Sequence, residues 1–417
     1  MVPQGSTIAS LVFLIFINDI ADDMLGLCRL FADDTSVGER SLEINSLRSM
    51  VNIDLNNIKH WAKQWLVKLN SEKTEIVYFS TRPSPVDLYF STDNIKIKPV
   101  DAHKHIGGTL SADCKWSKHI NNVVVKASRQ ITVLRKIKFK VSRNFLENIY
   151  MTFIRPLLEY SCEVWDSCTV ADAGRLEQLQ LETTRIVTGL TAYASLFSLY
   201  AETGWEKLNT RCKIRKLSLF YNIVKGDTPD YLSDLLPRTV NQANNYNLRN
   251  ENNFTIPRCR LTLYQNSFFP ATIHIWNNLP QYIRDSPSNC ILKSRLKTYY
   301  NNPVKSKYFS FGSHLASTLH TSLKQNCSSL KGDLFRCNLI DSCYCNCDNY
   351  VEHNEHYFLH FKLFVNQKNV KLNNIRDLGL DISINNILYG NSDFAYDVNC
   401  SLFTAVHRYI LDTKRFV

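Results

Sequence analysis

Cys28-Arg29-Leu30-Phe31-Ala32-Asp33-Asp34-Thr35-Ser36-Val37-Gly38 places short apolar runs on either side of a two-residue acidic step. That is the pattern of a β-hairpin turning at the acids. Upstream lies the most apolar run of the chain, Ile8 to Ile17, introduced by the turn-forming Val2-Pro3-Gln4-Gly5-Ser6 and closed by Asn18-Asp19. With Ser6 as N-cap, the run predicts a buried helix that ends near Asn18-Asp19. It is too short for a membrane span, which needs about 20 apolar residues, and no basic segment precedes it as a signal peptide requires. The expectation is an intracellular chain without membrane contact, whose 13 cysteines sit in a reducing compartment.

Downstream, Leu47, Val51, Leu55, Ile58, Ala62 and Trp65 recur at helical spacing, and Lys68 to Thr74 interrupts before Glu75 to Ser80 alternates like a strand. From Trp116 to Tyr160 the pattern is mainly helical. Ile120, Val123, Val124, Ala127, Ile131 and Leu134 form one stripe; Asn144 with Glu147 reads as a capping box before a second stripe of Ile149, Phe153 and Leu157, with Pro156 set to kink or end it. Leu176 to Tyr221 stays mostly helical, and Thr228 to Asn253 reads as loop.

Two adjacent acids can supply hard oxygen ligands for magnesium against phosphates, which makes Asp33 and Asp34 the catalytic candidates. An acid pair alone says little, because Asp22-Asp23 precedes it in a segment read as loop, and a solvated turn is the plain alternative. Context decides. Val2-Pro3-Gln4-Gly5-Ser6, an apolar helix ending in Phe16-Ile17-Asn18-Asp19-Ile20, then Phe31-Ala32-Asp33-Asp34-Thr35, in that order, resembles two successive palm motifs of non-LTR (LINE-type, jockey-like) retrotransposon reverse transcriptases. Leu69-Asn70-Ser71-Glu72-Lys73-Thr74-Glu75 resembles the next palm motif, and His105-Ile106-Gly107-Gly108-Thr109-Leu110 the primer-side turn after it. Trp116 to Ile120, Arg155 to Tyr160, Tyr246-Asn247-Leu248-Arg249 and Ser267 to Pro270 extend the likeness over most of the chain.

The resemblance implies that Asp33 binds catalytic magnesium with Asp34 assisting, that Gln4, Gly5 and Ser6 let the backbone approach nucleotide and template, and that Lys73 lies near the leaving pyrophosphate. It implies an RNA template, a DNA primer or target, deoxynucleoside triphosphates and a nuclear setting. The palm of this family uses three carboxylates, the first on a strand before the Pro-Gln-Gly loop. Met1 stands immediately before that loop, so the chain reads as a C-terminal fragment without that aspartate, the fingers or the endonuclease, and inactive alone. Ala9 and Ser10 replace the family's glycine and proline, which together with the early start suggests a degenerate gene copy.

Of the +11 formal charge, Lys115 to Tyr160 holds ten basic residues against two acids, a local net of +8. Lys126, Arg129, Arg135, Lys136, Lys138 and Lys140 are the candidate phosphate-backbone contacts, in what the resemblance makes the thumb; a solvated helix face is the alternative. In the tail, Cys343, Cys345, Cys347, His353, His356 and His360 crowd together at the density of a zinc site, although one residue between cysteines is tighter than usual. By resemblance to the family's zinc-knuckle-like motif, Cys345, Cys347 and His356 are ligands. Phe361 stands where the family has its cysteine, so either His360 completes the site or the site has lost its metal; buried thiols and surface histidines are the plain alternative.

The expected architecture is α+β. It comprises a partial palm with an antiparallel sheet and packed helices (1–112), a helical thumb (113–190), a helical and irregular connection (191–330) and a Cys/His-rich module (331–417). The expected function is that of a piece of an RNA-directed DNA polymerase; the alternatives are a non-catalytic nucleic-acid-binding protein and the inert remnant of a decayed element.

Overall fold

The apolar run forms α1 (Thr7–Ile17), followed by a 3-10 turn at Asn18–Ala21. The computed structural model describes residues 7–70, 72–80, 90–92, 95–243, 252–300, 307–308, 311–347 and 350–416; Val2 to Ser6, Ser71 and Tyr246 to Arg249 lie outside them. The chain divides into two units, Met1–His119 and Ile120–Val417.

In the first unit, α1 departs from the buried helix expected of it. Leu11 is 60% and Ile15 70% exposed, and only its C-terminal end is covered, where Ile17 and Ile20 pack with Trp61 and Ala62. The cause is the size of that core: it reaches one turn of α1, with Phe16 wedged between the Trp61 and Trp65 rings at 5.8 and 5.4 Å. After α1 come β1 (Leu27–Phe31) and β2 (Asp34–Gly38), then α2 (Ile44–Gln64), whose apolar positions recur as the sequence pattern demands. β3 (Phe90–Thr92) pairs with β4 (Ile95–Ile97), and β5 (Ala102–His105) with β6 (Gly108–Ser111). All three sheets among the described residues are two-stranded and antiparallel, so helix and sheet are mixed. Glu75 to Ser80, expected as a strand, makes one bridge, Ile76 to Pro99. Val100 donates to the Ile76 carbonyl at 2.8 Å, and Pro99, without an N–H, cannot extend the ladder.

The second unit is helical: α3 (Ser117–Ile137, beginning at the unit boundary), α4 (Arg143–Ile149), α5 (Arg155–Glu159), α6 (Cys162–Trp165), α7 (Val170–Thr188), α8 (Leu196–Thr203) and α9 (Leu208–Lys225) open it. The α3 stripe is buried, with Ile120, Ala127 and Leu134 fully so. α4 is capped by Ser142, whose hydroxyl accepts from the Phe145 N–H at 3.3 Å, two residues before the expected capping box. Glu147 instead accepts from Trp205 Nε1 at 3.2 Å. Between α4 and α5 the backbone widens into a π-turn at Tyr150–Ile154, with the Arg155 N–H reaching the Tyr150 carbonyl. That extra residue absorbs the missing N–H of Pro156 and shifts the inward face. Leu146, Tyr150, Ile154 and Leu158 are buried, whereas Phe153, expected inside, is 58% exposed.

Polar groups fill part of this interior. Arg211 joins Glu159, Gln180 and Tyr150, and Tyr150 stacks on Trp205 at 3.9 Å. The helices Phe268–Asn277 and Asn289–Tyr299 pack on α9 through Phe220, Trp276 and Leu292. A last core gathers Tyr357, Phe358, Phe361, Ile375, Leu402 and Tyr409 from the C-terminal segments.

Candidate functional site

Strands β1 and β2 pair from Leu27–Gly38 to Phe31–Asp34, which leaves Ala32 and Asp33 as the turn and puts Asp34 first on the returning strand. Ala32 is left-handed, with φ at 51°, a conformation that costs a residue bearing a Cβ about 1–2 kcal/mol. Both carboxylates are exposed at the tip. The base of the hairpin is gripped by one face of α2. Asp54, 2% exposed, accepts the N–H groups of Leu25 and Gly26 at 2.8 and 3.1 Å; Asn57 donates to the Asp23 carbonyl at 2.6 Å; Trp61 Nε1 donates to Asp19 at 2.7 Å. Positions 54, 57 and 61 are three and four apart, the spacing that shares a helix face. A Cβ on Gly26 would meet the Gly38 carbonyl oxygen at 2.7 Å, so the strands enter too close together for any larger residue. Sequence reading missed Asp54 and Asn57; their signal is a polar row beside the apolar stripe of α2.

Gln4, Gly5 and Ser6 lie outside the described residues. Lys73 is exposed on a turn organised by Asn70, whose side-chain oxygen accepts the N–H groups of Glu72 and Lys73 at 3.1 and 3.3 Å. The turn at Ile106 and Gly107 has φ of 43° and 81°, the two-residue type I′ geometry that lets His105 pair directly with Gly108.

On α3 and just beyond it, Lys126, Arg129, Lys136 and Lys140 are exposed, and Lys138, half-buried, sits over the Phe139 ring at 4.5 Å. Arg135 is paired with Glu182. Arg143, counted with this basic cluster by sequence, is buried between Glu202, Thr188 and Thr321, where burial pulls its guanidinium down to about 10.

In the tail, a bridge between Tyr344 and Val351 forms a small hairpin that presents Cys345 and Cys347, and a π-turn at His356–His360 presents His356. Their ligand atoms lie within 4.8 Å of one another. Cys345 Sγ is 3.0 Å from Cys347 Sγ, and Cys347 Sγ is 3.2 Å from His356 Nε2. The Cys347 N–H donates to Cys345 Sγ at 3.4 Å. His360 is exposed and stands outside the group, and Cys343 does not join it among the described residues. Four residues on from His356, a π-turn does not bring a side chain back to the same face as an α-helix does.

Residues 1–134 match the family described as reverse transcriptase (RNA-dependent DNA polymerase). In Drosophila melanogaster, the RNA-directed DNA polymerase from mobile element jockey is 28% identical over 204 residues, 46% of this chain and 22% of that protein. Over about half of its length this chain is similar to polymerases of jockey-like non-LTR retrotransposons. The probable RNA-directed DNA polymerases from transposon X-element (24% identical, 50% of this chain) and transposon BS (22%, 48%), from the same organism, agree. The chain spans less than a quarter of the length of each of these relatives. The family match includes Asp33, Asp34, Lys73, Lys126 and Arg129 but ends before Arg135. The Cys345, Cys347 and His356 cluster therefore stands on its own geometry. No helix among the described residues is long and apolar enough to cross a membrane.

Proposed function

We propose that the chain is part of an RNA-directed DNA polymerase, with residues 1–112 in the palm, 113–190 in the thumb, 191–330 connecting, and 331–417 a Cys/His module. The observation that carries this is the Asp33-Asp34 hairpin tip: both carboxylates are exposed, on a turn whose base is fixed by Asp54, Asn57 and Trp61. Two exposed carboxylates on a rigid tip suit a hard divalent cation, and Asp33 with Asp34 would hold magnesium. Bound there, magnesium neutralises charge on the reacting phosphates. Lys73 would meet the departing pyrophosphate, and Gln4, Gly5 and Ser6 would pass the backbone close to the incoming deoxynucleotide. The exposed lysines and arginine of α3 would follow the phosphates of RNA template and DNA primer, in the nucleus by family analogy.

On this reading the 417 residues contribute two of three carboxylates and do not extend a primer alone. The test is primer extension on an RNA template with magnesium, with and without a polypeptide bearing the fingers and first aspartate. Extension only in the complemented reaction, abolished by Asp33→Ala, is expected. Synthesis that survives Asp33→Ala overturns the proposal.

The tail supports zinc. Two thiols and an imidazole at ligand separation, with a backbone N–H on one sulfur, are the donor chemistry of that ion, and Cys345, Cys347 and His356 would hold it. Bound zinc would tie the Cys345–Cys347 hairpin to the His356 turn.

A further inference from the structure

Two sulfurs of the tail stand close enough to bond to each other as well as to a metal. Cys345 Sγ and Cys347 Sγ are 3.0 Å apart, about 1 Å more than a disulfide bond of roughly 2.05 Å. The backbone of the small hairpin brings them together. The Cys345 N–H donates to the Tyr350 carbonyl at 2.7 Å and the Glu352 N–H to the Cys343 carbonyl at 2.9 Å, while Cys347 lies in the turn. The remaining approach of the sulfurs is an adjustment within that turn and leaves the two cross-strand hydrogen bonds in place. Cys345 is 4% exposed and Cys347 partly exposed, so the two thiols differ in access. The His356 turn, by contrast, is held from behind without either sulfur. The Tyr409 hydroxyl donates to the Tyr357 carbonyl at 2.7 Å, the Tyr357 hydroxyl meets that of Thr413 at 2.7 Å, and the Lys371 ammonium donates to the Phe358 carbonyl. A change at the two sulfurs is therefore local, and the packed module around Tyr357 and Phe358 survives it.

We infer that Cys345 and Cys347 form a reversible dithiol–disulfide pair that small disulfides such as oxidised glutathione oxidise, and that this oxidation and metal binding exclude each other; the exclusion rests on the zinc reading above. The more accessible Cys347 thiolate attacks one sulfur of the small disulfide, which forms a mixed disulfide and releases one small thiolate. The Cys345 thiolate then attacks the Cys347 sulfur, closes the protein disulfide and expels the second small thiolate. The two cysteine protons end on the two small thiols, and the two electrons given up by the pair reduce the small disulfide. The disulfide withdraws both sulfur donors from the triad and leaves His356 alone. A bridge between cysteines two positions apart closes a very short ring, and strained disulfides are the readily reduced ones, so excess small thiol reverses the step. In a reducing compartment such a bridge is transient and redox-sensing.

The experiment uses the full chain, reduced, stripped of metal with a chelator and incubated with oxidised glutathione. Free thiols are then alkylated and each cysteine located by fragmentation in the mass spectrometer. Cys345 and Cys347 should together lose two hydrogens and escape the label, whereas Cys337 and Cys343 take it; excess reduced glutathione should restore both labels. Cys345→Ser should stop at the mixed disulfide, with glutathione retained on Cys347, and Cys343→Ser should oxidise as the unmodified chain does. Zinc added beforehand should slow the oxidation about tenfold when free zinc is ten times its dissociation constant, and oxidation should release the metal to a chromogenic chelator in step. Full labelling of Cys345 and Cys347 in the unmodified chain, or a disulfide to Cys343 in place of theirs, would overturn the inference. So would a disulfide that forms at an unchanged rate while zinc stays bound. A chain that closes the disulfide but binds no zinc would remove the zinc reading and the exclusion with it, and would leave the redox pair standing.

Discussion

Arg211 donates from Nε to Glu159 Oε1 at 2.6 Å, with the two residues 4% and 5% exposed. Glu159 also receives Arg155 at 2.8 Å, and Arg211 reaches Gln180 and Tyr150, so one carboxylate anchors α5 to α7 and α9. Glu159→Ala strands a buried guanidinium and should cost about 3–5 kcal/mol. Replacing Glu159 and Arg211 together by methionine should recover much of the loss, and urea unfolding of the single and double variants measures it.

Asp54 closes the base of the acidic hairpin through two N–H groups. Asp54→Ala leaves both donors without that acceptor and should cost about 1–3 kcal/mol. Amide hydrogen exchange should speed up in β1 and β2 while the helices of the second unit keep their protection. Equal loss of protection everywhere would show that Asp54 does not act locally.

Three histidines of the second unit are neutral when folded. Burial pushes His320 down to about 3, assisted by His407 and Lys324; burial and then Arg143 push His314 and His407 down to about 4. His320 donates from Nε2 to the Ile387 carbonyl at 3.0 Å, which leaves Nδ1 to accept from His407 Nε2 at 3.1 Å. Unfolded, each takes up a proton near its ordinary value of 6.5, so below that pH the unfolded state binds more protons and stability falls as pH falls. The loss should run between pH 6.5 and about 4, at up to about 1.4 kcal/mol per pH unit for each histidine. Urea midpoints at pH 7 and pH 5 give the slope, and His407→Gln should flatten it.

The exposed cations of α3 should govern affinity for nucleic acid without governing stability. Charge reversal at Lys126, Arg129 and Lys136 should weaken binding to an RNA–DNA hybrid and lower the salt slope by about 1 for each phosphate no longer neutralised. Fluorescence anisotropy at several salt concentrations reads both. Arg143→Glu, in the same basic stretch, should instead unfold the second unit.

In the tail, His356→Ala should abolish zinc binding, whereas His360→Ala should leave it intact, because His356 Nε2 faces Cys347 and the exposed His360 does not join the cluster. Zinc analysis after dialysis distinguishes the two. Loss of metal in His360→Ala would mean that this side chain swings into the site on binding.

The hairpin at Asp33-Asp34 and the buried stripe of α3 were legible in the sequence, whereas the turn at Ile106-Gly107 was read only through the family resemblance. The first two depend on alternation, turn chemistry or helical spacing within a few neighbouring residues. The grip of Asp54, Asn57 and Trp61 on the hairpin base was not legible. It joins residues about 30 to 40 apart, and no local pattern says which loop a polar helix face will meet.

Sequence alone determined that two acids end a hairpin and that helices run through Leu47 to Trp65 and Ile120 to Leu134, because these follow from short-range backbone preferences; it misplaced a strand at Glu75 to Ser80. Tertiary structure decided what they face. It left α1 largely uncovered because the core of its unit reaches only the last turn, and it rotated the stripe after α4 by inserting a π-turn ahead of Pro156. It also gathered His356 and not His360 with the cysteines, since one additional residue in the turn re-aims every side chain beyond it.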